Sequence, residues 1–166
     1  MTLIEAFAKW IDNTSLSAAV SSSPWMWPAC ETLHFLGMAL LIGAIGLLDA
    51  RILGLFKQLP VGALERLVPW GVAGFITNLV TGFAFFAGAP GQYIHNIAFG
   101  FKMLFIVLAG ANVLFFYFTG LAKRVDRLQP DEATPIAAKL VAGTSLFLWF
   151  GVLFWGRMLP FIGDAF

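Results

Sequence analysis

The amino-acid sequence predicts an all-α membrane protein: a four-transmembrane-helix bundle preceded by an N-terminal amphipathic helix lying in the membrane interface. Three observations lead there. Of 166 residues, 60% are hydrophobic and 11% charged, whereas charged residues make up about a quarter of an ordinary soluble domain. Mean hydropathy is +0.86. Four long apolar segments, at about 26–56, 68–88, 93–121 and 136–158, are bounded by Pro, Gly or clusters of charge, and about 20 such residues suffice to cross a bilayer as a helix. No stretch is polar enough for a separate soluble domain, so residues 1–166 read as a single transmembrane domain.

Composition also excludes function classes. A net charge of +1 leaves no footprint for nucleic acid. The single Cys30 rules out an internal disulfide or a cysteine-built zinc or iron–sulfur site within one chain. No nucleophile–base arrangement, phosphate loop or zinc-protease pattern is present, so catalytic turnover by this chain alone is not expected.

The elements follow in order. Leu3, Ile4, Phe7, Trp10 and Ile11 recur at helical spacing with Glu5, Lys9 and Asp12 on the other side, the pattern of an interfacial helix. The same stretch has acidic residues and no uninterrupted apolar run, so a cleaved signal peptide is not expected. A Ser-rich turn, SSSP, comes next. Along the first span Ala39, Gly43, Gly46, Ala50 and Gly54 are small enough for neighbouring backbones to approach, and Asp49 and Arg51 read as interfacial charges near its inner end. Asn78 in the second span and Asn112 in the third read as interhelical hydrogen-bonding groups.

Orientation follows from the basic residues. Arg51, Lys57 and Arg66 fall after the first span and Lys123, Arg124, Arg127 and Lys139 after the third, while GAPGQYIHN between the second and third has none. Positive charge collects on the cytoplasmic side, so both termini are expected to face away from the cytoplasm. Trp25, Trp27 and Trp155 then lie at the outer interface.

Glu31, His34, His95, Lys102 and Arg157 all fall on that outer side, and ionisable groups in spans are costly and mark function. Two histidine-bearing faces on two helices suit one haem b: His34 and His95 as axial ligands, Lys102 and Arg157 neutralising the propionates, Glu31 orienting His34, and Gly37 and Ala98 leaving room for the ring. At 1.5 Å per residue, His34 stands roughly 35 Å above Lys57 and His95 roughly 42 Å above Lys123. Measured from Arg51 instead, Lys102 rather than His95 lies level with His34. A competing set is Met26, Cys30, His34 and Met38, four apart in succession, whose soft sulfur and imidazole ligands suit Cu(I). In a third alternative the same polar residues knit a cofactor-free structural subunit.

The stretches SSSPWMWPACETLHFLGMALLIGAIGLLDARILG, LVPWGVAGFITNLVTGFAFF and AFGFKMLFIVLAGANVLFF resemble a family of small uncharacterised bacterial four-helix inner-membrane proteins. The Phe-x-Phe-Lys run followed by Asn112 is distantly similar to copper-resistance-D-type membrane proteins, and the architecture to small membrane b-type cytochromes. The cytochrome resemblance implies paired histidine ligands, and two histidines suffice for one haem. The expectation is an electron-transfer subunit with one haem b near the periplasmic face and copper as the alternative cofactor. Its partners are the lipid bilayer and a periplasmic redox protein or quinone, with a homo-oligomer left open.

Overall fold

Helix follows helix through residues 2–129 and 132–162, which the computed structural model describes, with no strand among them. The first helix, α1 (Leu3–Asp12), begins at a capping box: the Thr2 hydroxyl accepts from the Glu5 amide at 3.2 Å and the Glu5 carboxylate accepts from the Thr2 amide at 2.7 Å. Ala8 and Ile11 are buried, while Leu3, Ile4, Phe7 and Trp10 remain exposed. Ahead of the Ser-rich turn lies a second helix that the sequence reading does not predict, α2 (Ser15–Ser22), capped by Thr14; it takes in Ser21 and Ser22, and the chain turns after Ser23. This helix forms because Ser17 and Val20 bury against the fifth helix, where Gly88 leaves the space that Val20 occupies.

Four helices are long and apolar enough to cross a membrane: α3 (Met26–Leu53), α5 (Val68–Gly88), α7 (Ile97–Phe118) and α9 (Ile136–Met158). Between them lie the short α4 (Val61–Glu65), α6 (Pro90–His95) and α8 (Leu121–Asp126). Helix α3 stops at Leu53 rather than near 56, because Gly54 takes the left-handed conformation at φ 107 and the Leu55 amide turns back onto the Ala50 carbonyl at 2.9 Å. The segment expected at 93–121 is broken at Asn96, whose backbone is extended; α6 ends before it and α7 starts after it.

Antiparallel pairs build the bundle: α3 packs on α5, α7 on α9, and α3 on α9. The order across the molecule is therefore α5–α3–α9–α7. Gly37 and Gly74 meet where α3 crosses α5, and Phe101 stacks on Trp155 at 4.5 Å between α7 and α9. At one end, α1 and α6 cover the bundle. At the other, Ile52, Val61, Val125, Ala138 and Ala142 form a core beneath α4 and α8. Asp49 and Arg51, expected at an interface, are both buried. The Arg51 guanidinium instead ties down connecting chain, donating from Nε to the Leu59 carbonyl at 2.8 Å and from Nη2 to the Gln129 carbonyl at 3.5 Å.

Candidate functional site

The α3–α5 crossing sets His34 opposite Thr81. Its ring is half-buried, and Nδ1 lies 2.7 Å from the Thr81 hydroxyl oxygen. That same oxygen lies 2.7 Å from the Thr77 carbonyl, one turn back along α5. A hydroxyl has one proton. Were it donated to His34, two oxygens 2.7 Å apart would face each other with no hydrogen between them. Both short contacts are hydrogen bonds only if Thr81 donates to Thr77 and accepts from His34. The network therefore assigns the proton of the neutral imidazole to Nδ1 and leaves a lone pair on Nε2.

Around this ring the bundle supplies an aromatic wall and one cation. Phe85 stands edge-on to His34 at 5.6 Å and is itself packed on Trp27 at 5.0 Å. Lys102 projects from α7 with its stem lying over Gly156 of α9, and Nζ is 3.5 Å from where a Cβ on that glycine would stand. The ammonium is close enough to act electrostatically on His34. A bare imidazole nitrogen and an ammonium thus share one end of the bundle, the first able to ligate a metal or accept a proton, the second to hold an anion.

Other residues expected here go elsewhere. His95 is exposed on α6, and its Nδ1 bonds the Gly91 carbonyl of its own turn at 2.9 Å. The break at Asn96 takes it off the α7 face that carries Lys102. Arg157 is exposed and lies over the Phe161 ring at 5.3 Å. Glu31 is exposed too, and the group that orients His34 is Thr81 rather than Glu31. The room beside Gly37 is filled by α5: an added Cβ would stand 2.8 Å from the Gly74 oxygen and 3.0 Å from Asn78 Oδ1. Ala98 is enclosed with Tyr93 and Leu159.

Of the sulfur-bearing set, Met26 is exposed, Cys30 is half-buried, and the Met38 sulfur accepts from Asn78 Nδ2 at 3.9 Å instead of turning toward His34. Among the described residues no three His, Cys, Asp or Glu side chains gather closely enough to hold a metal ion. Asn112 joins α7 to α9 through the Val141 carbonyl at 3.1 Å.

Three residues that the sequence reading passed over matter to this geometry: Thr81, Ser145, which stands beside Asp49, and Asn96. Only Asn96 carried a signal, as an N-cap residue just before the apolar run IAFGFKM. No family model, curated protein or solved structure matches the chain. What fold and site define is a class: an all-α protein with four helices long and apolar enough to cross a membrane, carrying one imidazole–hydroxyl–ammonium centre near one end.

Proposed function

We propose that this chain is a multi-pass bacterial inner-membrane protein that holds one haem b near its periplasmic face and serves as an electron-transfer subunit. The hydrogen bond between His34 and Thr81 carries the reading. Haem iron takes a neutral imidazole whose other nitrogen is anchored by a hydrogen bond, the state that Thr81 imposes on His34. Lys102 serves a propionate. The membrane placement is supported by the outward display of Leu104, Val107, Leu114 and Phe118 on α7, an exterior suited to hydrocarbon rather than water.

His34 is the one axial ligand in this scheme, and His95 stays on the surface. Electrons pass to or from a periplasmic redox protein or quinone.

Protein purified in mild detergent from haem-replete cells is expected to show a Soret band that His34→Ala abolishes, with a five-coordinate, high-spin spectrum. Colourless protein sinks the proposal. A low-spin spectrum that His95→Ala turns high-spin restores the paired-histidine scheme in place of the single ligand. Stoichiometric copper lost on Cys30→Ser or Met38→Leu replaces haem with the soft-ligand site.

A further inference from the structure

A second ionisable side chain is enclosed by the long helices, and the centre at His34 does not use it. Asp49 sits on α3 four residues before Leu53 and is 6% exposed. Ser145 of α9 stands beside its carboxyl group, and Oδ2 has no hydrogen-bond partner. Side chains of the two helices meet on either side: a Cβ added at Gly143 would be in ordinary van der Waals contact with Leu53 at 3.8 Å, and one at Gly46 with Leu146 at 3.8 Å.

Charge does not compensate this carboxyl. Of the elements packed on α3, helices α2 and α5 carry no titratable side chain, α4 offers Glu65, and α9 offers Lys139 and Arg157. Among the described residues none of these forms an ion pair with Asp49. Arg51, two residues further along α3, directs its Nε and Nη2 to the carbonyls of Leu59 and Gln129. Cys30, Glu31 and His34 lie four turns or more toward the other end. A carboxylate with an unpaired oxygen in such a place is costly, whereas a neutral carboxylic acid is not. A hard metal cation would want about six oxygen ligands, and two side chains supply oxygen here.

We propose that Asp49 is a proton-binding site in the half of the bundle opposite His34, carried as the neutral acid against Ser145. A largely apolar groove of about 500 Å³ along α9, lined by Leu53, Ile136, Leu140 and Phe147 with Lys139 and Thr144, comes within a turn of the pair without reaching it. This site is independent of the haem reading, since no haem atom is involved.

Infrared spectroscopy on protein carrying carbon-13 aspartate tests it. At neutral pH the carbonyl stretch of a protonated carboxylic acid is expected, moved by the isotope, lost in Asp49→Asn and displaced in Ser145→Ala. Should Asp49→Asn fail to fold, the Ser145→Ala displacement decides alone, and an unmoved band refutes the assignment. Absence of the acid band in isotope-labelled wild type refutes it as well. Loss of the band on adding sodium at constant pH turns the site from a proton site into a cation site.

Discussion

Gly37 of α3 and Gly74 of α5 pack backbone against backbone, so close that a Cβ on Gly37 would lie 2.8 Å from the Gly74 carbonyl oxygen. The approach sets the register in which His34 meets Thr81 and Met38 meets Asn78. Gly74→Ala is expected to force the two helices apart at a cost of about 1–3 kcal/mol, read as a lower thermal midpoint in detergent. Gly43→Ala and Gly110→Ala, where an added Cβ meets nothing within 4 Å, serve as controls. Equal midpoints for all three variants would show that the glycine contact does not set this packing.

Thr81 fixes the tautomer of His34, and nitrogen NMR of the imidazole reads it directly. Wild type without cofactor is expected to show a protonated Nδ1 and a bare Nε2. Thr81→Ser keeps this pattern. Thr81→Val removes the acceptor, mixes the tautomers and costs about 1–2 kcal/mol for the unpaired ring N–H. A protonated Nε2 in wild type contradicts the hydrogen-bond assignment.

Orientation is tested separately. Seven of the ten Lys and Arg residues (Arg51, Lys57, Arg66, Lys123, Arg124, Arg127 and Lys139) lie between the last turn of α3 and the start of α5, or between α8 and the first turn of α9. In intact cells a tag at either terminus is therefore expected to react from the periplasm. Tags protected until the inner membrane is opened reverse the topology and move His34 to the cytoplasmic half.

How far the sequence could be read varied by element. The bounds of α5 and α9, Val68–Gly88 and Ile136–Met158, are marked by proline, glycine and charge at the ends of apolar runs. The break at Asn96 is marked only by that residue's N-cap chemistry, a signal outweighed by the apolar residues Ile94 before it and Ile97 after it. Missing that break put His95 and Lys102 on one continuous helix face and produced the expectation of paired histidines. Depth counted from Arg51 sets Lys102 level with His34, and the two lie at the same end of the bundle within electrostatic range. Thr81 could not be singled out, because its partner is 47 residues away and Thr77 occupies the same helix with the same chemistry. Asp49 was misjudged for a related reason. Proximity to a helix end suggests an interface, but the packing of α9 over α3 decides burial, and helix order is not written in any single segment.

Tyr93 lies on α6, outside the four long helices, buried against Phe99 at 5.2 Å and Phe86 at 6.2 Å. Burial pushes its phenol from 10.0 up to about 12, because the phenolate loses water. Above pH 10 the unfolded chain releases this proton while the folded chain keeps it. Stability is thus unaffected by this group below pH 10 and falls as pH rises from 10 toward about 12. Tyr93→Phe is expected to lack that fall, so midpoints of the two proteins should diverge only in this window. Parallel curves throughout would mean that the phenol is solvated.

Asn96 offers the sharpest test of how the bundle end is held. Its Oδ1 accepts from the amides of Ala98 at 2.9 Å and Phe99 at 3.3 Å, capping α7, while Nδ2 donates to the carbonyls of Leu159 at 3.0 Å and Ile162 at 2.9 Å beyond α9. At an ordinary N-cap, aspartate replaces asparagine with little loss. Here Asn96→Asp keeps the acceptor but sets a carboxylate against two carbonyl oxygens in a buried position. It is expected to cost about 2–4 kcal/mol, two lost hydrogen bonds and the repulsion that replaces them. Asn96→Ser keeps the cap and loses both donors without adding charge, so it should fall between Asn96→Asp and wild type. Thermal midpoints in detergent give the order. If Asn96→Asp matches wild type, the side chain acts as a cap alone and the link from α7 to the chain after α9 carries no weight.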